Sequence, residues 1–162
     1  MSAAIAVKTS PPLAGLTDEE RMRAAAAHVL STEGKEESVS LTIVLVDDGE
    51  MRQLNYRHRN VDATTDVLSF PAGGLPPGEA ANELRDYVGD VVISFPRSVV
   101  QAAQHMVPLA QELDLLVVHG VLHLLGYEDE TEADKEAMWE RQEALCQELL
   151  DLLPVDMPDD ER

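Results

Sequence analysis

Two histidines four residues apart lie in an otherwise apolar stretch that runs from residue 115 to residue 126. On a helix, the spacing of His119 and His123 places both imidazoles on one face, one turn apart, as a single metal ion requires of two ligands. Gly126 can end such a helix in a left-handed turn and bring Asp129 back toward the rings. Three protein ligands with one position left to water are typical of a catalytic zinc. The pattern therefore predicts one Zn²⁺ per chain.

The alternative is that the two histidines are ordinary core residues. Metal binding is favoured because the predicted helix is apolar on nearly every face and is therefore expected to be buried. Burying each imidazole there costs about 1–3 kcal/mol unless the ring has a hydrogen-bonding or metal partner. A structural zinc site is closed by four ligands and usually contains cysteine, and this chain has one cysteine, Cys146. A lone cysteine excludes an internal disulfide, which favours a reducing compartment.

The run from His119 to Asp129 resembles the signature H-G-x-L-H-L-x-G-Y-D-H of the YbeY family of bacterial rRNA maturation factors. It departs from that signature at Glu128 and Asp129, where the family has an aspartate and a third histidine. Other blocks match the family in the same order, from about residue 40 to about residue 150: Leu54-Asn55, Arg59, Thr65 to Pro71 and Gly89 to Ser94.

This resemblance implies an α/β fold and a zinc ion held by His119, His123 and Asp129. It also implies single-strand-specific endoribonuclease activity, with a role in maturing the 3′ end of small-subunit (16S) rRNA and in ribosome quality control. The partners expected from the resemblance are single-stranded RNA or rRNA and the small ribosomal subunit or its proteins. Neither DNA nor a membrane is an expected partner.

Cleavage of a phosphodiester needs a positive group besides the metal, because charge develops on several phosphate oxygens. Arg59 matches the family's arginine by motif order, and its guanidinium can contact two oxygens at once, so it is the candidate catalytic and substrate-binding residue. His119 is the other candidate catalytic residue, as a metal ligand. The helix pattern His-Glu-x-x-His uses a glutamate as general base, but this chain has Gly120 there, so the base stays open. Asp129 adds a negative charge that makes zinc-bound water less acidic than three histidines would.

The formal net charge of −19 is the opposite of the basic surface expected of a nucleic-acid-binding protein. More than half of this net negative charge lies in residues 128–162. The only basic cluster before that segment is formed by Arg52, Arg57, His58 and Arg59. RNA is therefore expected to be held locally, at this cluster and the metal. Two alternatives stay open: a zinc hydrolase of another bond, such as a peptide, and a metal-stabilised, non-catalytic ribosome-assembly factor whose acidic surface binds basic proteins.

Length and a hydrophobic content of 44% fit one compact domain. We expect a flexible N-terminus over residues 1–16, a single catalytic domain over 17–153 and an acidic disordered tail over 154–162. The chain has neither a recognisable secretory signal nor 18 consecutive apolar residues, which favours a soluble, cytoplasmic protein.

Residue periodicity predicts an α/β (α+β) fold, with a small mixed sheet of about four strands and helices packed on it. Strands are expected at residues 38–46, 66–70 and 88–95. Helices are expected from a cap at Thr17 to about residue 30, from 47 to 57, from 96 to 106, from 108 to 126 and from 131 to 153. Residues 72–85 are expected to form a surface loop.

Overall fold

A computed structural model describes residues 3–35, 39–72 and 86–155 of the chain. The elements are, in order, β1 (Ala4–Thr9), α1 (Glu19–Thr32), β2 (Val39–Val46), α2 (Asp48–Arg59), β3 (Val67–Pro71), β4 (Asp86–Ser94), α3 (Phe95–His105), α4 (Leu109–Leu124) and α5 (Glu132–Leu152). A short 3-10 helix, Pro11–Leu13, lies between β1 and α1. The predicted mixed sheet with helices packed on it is confirmed.

The strand order in the sheet is β1-β2-β4-β3. Strands β1, β2 and β4 are mutually parallel, and β3 pairs antiparallel to β4. Strand β2 has the alternation that the sequence predicts, because its residues Val39, Leu41, Ile43 and Leu45 all lie in the main core with α1, α4 and α5. A smaller core on the other face packs α2 against the sheet through Val46, Met51, Leu68, Phe70 and Val92.

The expectation of a flexible N-terminus over residues 1–16 is wrong for most of that segment. Residues Ala4 to Thr9 form an edge strand that pairs in parallel register with Ser40 to Leu45 of β2. The physical reason is that Ile5 and Val7 alternate with smaller or polar residues and pack against the main core. The pairing also satisfies backbone groups that a frayed segment would leave to water.

Helix α1 begins one residue later than the sequence suggests, because its N-cap is Asp18 and not Thr17. The Asp18 carboxylate accepts a hydrogen bond of 3.1 Å from the backbone N–H of Arg21. Helix α2 begins as predicted, and Asp47 and Glu50 form a complete capping box there. It extends two residues beyond the predicted end, to Arg59, and closes in a left-handed Asn60.

Helix α4 lies at the centre of the molecule, between the sheet and α1, α3 and α5. Nine of its sixteen residues are buried, as its apolar sequence predicts. Over the residues that the structure describes, no single helix is long and apolar enough to span a membrane. Only α3 and α4 taken together reach that length and composition, and they are bent by 116° relative to each other.

Two predicted segments lie mainly outside the described residues. They are the surface loop, of which 73–85 is not described, and the acidic tail, of which 156–162 is not described.

Candidate active site

Between its two histidines, at Gly120, helix α4 packs closely on the sheet. Gly120 makes this approach possible, because a Cβ built on it would lie 2.4 Å from Cγ1 of Val91 in β4. The Ser69 hydroxyl of β3 donates a hydrogen bond of 2.9 Å to the backbone carbonyl of Gly120. Position 120, directly after His119, therefore has no room for a glutamate side chain.

Helix α4 ends in a Schellman motif that turns the chain back over the histidines. The Tyr127 N–H donates to the carbonyl of Leu122 at 3.0 Å, and the Gly126 N–H donates to that of His123 at 3.1 Å. Gly126 has a φ of 106°, a backbone conformation that favours glycine. The sequence predicts this turn, and the structure shows its hydrogen bonds.

The turn orients the second histidine. Nδ1 of His123 lies 2.9 Å from the backbone carbonyl oxygen of Tyr127. The Tyr127 hydroxyl in turn donates to Glu33 at the end of α1, and Glu33 is held by Arg141 of α5 through a 2.7 Å contact. Three helices therefore hold the carbonyl that faces His123.

The first histidine is oriented by a residue of α5. Nδ1 of His119 lies 2.9 Å from Oε1 of Gln142. Sequence reasoning missed Gln142, although a signal was present: it is a polar residue between Met138 and Leu145 on the apolar side of α5. A polar residue inside such a stripe requires a hydrogen-bonding partner.

These contacts determine which nitrogen of each ring carries the proton. A carbonyl oxygen only accepts hydrogen bonds, so Nδ1 of both His119 and His123 donates, and Nε2 is the nitrogen that carries the lone pair in the neutral form of each ring. The two ring centroids lie 4.6 Å apart, with the ring planes at 77°. Burial, and then the neighbouring His119, lower the pKa of His123, against the opposing effects of Asp129, the Tyr127 carbonyl and Glu128. His123 is therefore a neutral imidazole near pH 7, the form that binds metals.

Asp129 lies beside this pair. Its Oδ2 is 3.8 Å from Nε2 of His123, and its side chain is 57% exposed. Two ligand atoms of a tetrahedral zinc are about 3.4 Å apart, given metal–ligand distances of about 2.0–2.2 Å. Among the described residues, no three His, Cys, Asp or Glu side chains are yet close enough together to hold a metal. The donor set of two imidazoles and one carboxylate fits zinc in its chemistry.

All four sequence-predicted site residues line one cleft of about 480 Å³. Arg59 lies at its edge as the last residue of α2, and β3 forms a wall. Asn55 orients the loop that joins these two elements, because its side-chain N–H donates to the Ala63 carbonyl at 2.9 Å. Glu128 also lines the cleft, next to Asp129. The cleft lining therefore includes one guanidinium, two imidazoles and three carboxylates, the third being that of Asp66.

Asp66 also lines the cleft, but both of its carboxylate oxygens accept hydrogen bonds from other groups of the protein. Oδ1 accepts from the Val67 N–H at 2.8 Å and lies 3.4 Å from the Thr65 hydroxyl. The side-chain amide of Gln101 is oriented with its nitrogen toward two carboxylates. This nitrogen donates to Oδ2 of Asp66 at 3.3 Å and to Glu112 at 3.2 Å. Asp66 therefore orients the start of β3.

A sequence model described as endoribonuclease YbeY matches residues 13–150. The chain belongs to the YbeY family. It is 39% identical over 140 residues to the endoribonuclease YbeY of Roseiflexus castenholzii, which covers 86% of this chain and 88% of that protein. The Moorella thermoacetica endoribonuclease YbeY is 42% identical over 130 residues, covering 76% and 79% of the two chains.

The fold has a solved counterpart. A Thermotoga maritima protein, determined in solution, superposes with a TM-score of 0.65 over 98% of this chain and 99% of that one, at 23% sequence identity. Membership of the YbeY family and the mixed α/β fold are thus both established, as the motifs predict. The roles of Arg59, His119, His123 and Asp129 stay predictions that the cleft geometry makes testable.

Proposed function

We propose that this protein is a zinc-dependent endoribonuclease that cuts single-stranded RNA, and that its cellular substrate is the 3′ end of small-subunit rRNA. The YbeY family supports RNA as the substrate. The observation that carries the zinc proposal is the pair of histidines whose Nδ1 atoms are both held by carbonyl oxygens. This arrangement fixes the tautomer and the ring orientation in which the Nε2 lone pair of each neutral imidazole is the one available to a metal.

His119, His123 and Asp129 are the residues that would hold the metal. When bound there, Zn²⁺ supplies a Lewis acid for a phosphate oxygen and brings the pKa of water toward about 7. The chain's own contribution is positional. Gln142 and the Tyr127 carbonyl hold the imidazoles in place, and Gly120 lets α4 approach strand β4 closely.

Arg59 contributes a second positive charge beside that of the metal. It is exposed at the cleft edge and makes no salt bridge within the described part of the chain, so its guanidinium is available to phosphate oxygens. Glu128, which also lines the cleft and is not a proposed metal ligand, repels a polyanion. The phosphodiester is therefore drawn toward Arg59 and the metal position, and the remaining acidic surface opposes non-specific binding.

A second candidate is a non-catalytic assembly factor that binds basic ribosomal proteins. The observation in its favour is the net charge of −19, which suits a basic partner better than an RNA. A peptide hydrolase is disfavoured, because the packing of Gly120 against Val91 leaves no space for the glutamate that such enzymes place after the first histidine.

The deciding experiment measures cleavage of a single-stranded RNA, of the same strand in a duplex, and of casein, each with zinc-loaded and chelator-treated protein. The proposal predicts cleavage of the single strand alone, lost with chelator and restored by zinc. His123→Ala should lose this activity, whereas Arg23→Ala, on the distant helix α1, should keep it. Binding to small subunits without zinc-dependent RNA cleavage would instead support the assembly-factor role, and casein cleavage would support the peptide hydrolase.

A further inference from the structure

The outer face of α2 carries an exposed stripe that leads away from the cleft. Arg52, Tyr56 and Arg59 are spaced i, i+4 and i+7, so they lie along one face of this helix. Tyr56 is 56% exposed, and Arg59 at the end of the stripe lines the cleft. The stripe therefore begins at the candidate active site and extends outward over two helical turns.

Tyr56 has no evident role in holding the fold together. The inward face of α2 is occupied by Met51 and Asn55, which are 0% and 3% exposed. His58 packs edge-on against Phe70 with ring centroids 4.9 Å apart, and this contact anchors the last turn. The exposed aromatic ring of Tyr56, next to these packed residues, is therefore available to a ligand.

The charge around Tyr56 is unusual for this chain. Most arginines of the described residues are paired with acids: Arg21, Arg23, Arg52 and Arg141. Arg57, Arg59 and Arg97 make no salt bridge within those residues.

Two of these three unpaired guanidiniums, Arg57 and Arg59, lie in the last turn of α2, one and three residues after Tyr56. The Arg52 pair with Asp62 is exposed, and exposed ion pairs contribute little to stability. The end of α2 is thus a cationic surface on a protein of net charge −19.

We propose that Tyr56 is a stacking platform for one base of single-stranded RNA, next to a phosphate held by Arg59. Residues three apart on a helix have Cβ atoms about 5–6 Å apart, so one nucleotide can contact both. Stacking on an aromatic ring accepts any base but requires that the base be unpaired. This inference rests on the proposed function and gives a physical source for a preference for single strands.

The test is an abasic scan, in which labelled single-stranded RNAs each lack one base at successive positions. Zinc-loaded wild type should bind the intact strand about fivefold to a hundredfold more tightly than the strand that lacks the stacked base. Tyr56→Ala should bind the intact strand as weakly as wild type binds that abasic strand, and should lose the discrimination. Tyr56→Phe keeps the ring and should behave as wild type, and Leu152→Ala controls for loss of an exposed apolar side chain.

The outcomes separate this inference from the proposed function. RNA binding and cleavage that are insensitive both to Tyr56→Ala and to every abasic position would overturn the stacking platform and leave the nuclease intact. No RNA binding or cleavage by wild type would overturn the proposed function itself. Equal effects of Tyr56→Ala on duplex and single-stranded binding would also contradict stacking, because paired bases cannot reach the ring. Melting temperature should be unchanged in all variants, since Tyr56 is exposed.

Discussion

The side-chain oxygen of Gln142 lies 2.9 Å from Nδ1 of His119, so helix α5 orients the first candidate metal ligand of helix α4. The second candidate ligand, His123, is oriented by a backbone carbonyl instead. Orienting groups of this kind raise the basicity of an imidazole and lock its rotation.

Replacing Gln142 with alanine should weaken zinc binding about 10- to 100-fold, because His119 loses the acceptor that holds its Nδ1 proton. Gln142→Glu keeps an acceptor and should retain most of the affinity. Zinc dissociation constants from competition with a chromophoric chelator measure both effects. Gln147→Ala, an exposed glutamine of the same helix, is the control, and equal affinities in Gln142→Ala and wild type would remove Gln142 from the site.

Asp129→Ala should lose most bound zinc, whereas Glu128→Ala should lose little, because only the Asp129 carboxylate lies 3.8 Å from Nε2 of His123. Asp129→His should keep the metal, since imidazole is as suitable a ligand as carboxylate. Elemental analysis of proteins purified without added metal gives the stoichiometry. The opposite order for the two alanine variants would make Glu128 the third ligand.

Arg59→Ala should lower the rate of RNA cleavage about 10²- to 10³-fold, the usual cost of removing one donor that stabilises transition-state charge. Zinc content and melting temperature should stay at wild-type values, because Arg59 is exposed and makes no salt bridge in the described residues. Single-turnover rates at saturating enzyme separate this effect from weaker binding. Arg23→Ala serves as the matched control, and full activity in Arg59→Ala would exclude the residue from the mechanism.

Gly120→Ala should destabilise the protein by about 1–3 kcal/mol, because the new methyl group would overlap Val91 at 2.4 Å. Val91→Ala creates the missing space, so the double variant should be more stable than the sum of the two single losses predicts. Denaturant unfolding of the four proteins measures the coupling. Gly49→Ala, whose Cβ would meet only Asp47 at 3.4 Å, should be neutral or stabilising.

Cys146 should react very slowly with thiol reagents. Burial, and then the carboxylates of Asp114, Glu143 and Glu112, raise its pKa to about 12. Against an ordinary thiol with a pKa near 9, the thiolate fraction at pH 8 falls about a thousandfold. Alkylation by iodoacetamide should be correspondingly slow in the folded protein and normal in urea. Rapid labelling of the native chain would show that this helix face opens.

The two histidines and the turn after them were identifiable from the sequence because local spacing encodes them, whereas Arg59 was identified from its place in a block that resembles the family. A separation of four residues places His119 and His123 on one helix face whatever surrounds the helix. Gly126 ends that helix for a local reason, its tolerance of positive φ. The alternating strand β2 and the capping residues of α2 are local in the same sense, and the structure bears them out.

Features that depend on contacts between distant segments could be identified only from the tertiary structure. The N-terminal strand β1 was missed because its stability comes from pairing with β2, some 36 residues away, and not from its own composition. Gln142 is adjacent to His119 only because α5 packs across α4, and Arg59 reaches the cleft only because α2 and β3 meet there. Residue spacing thus determined the candidate ligands, and packing determined which groups orient them.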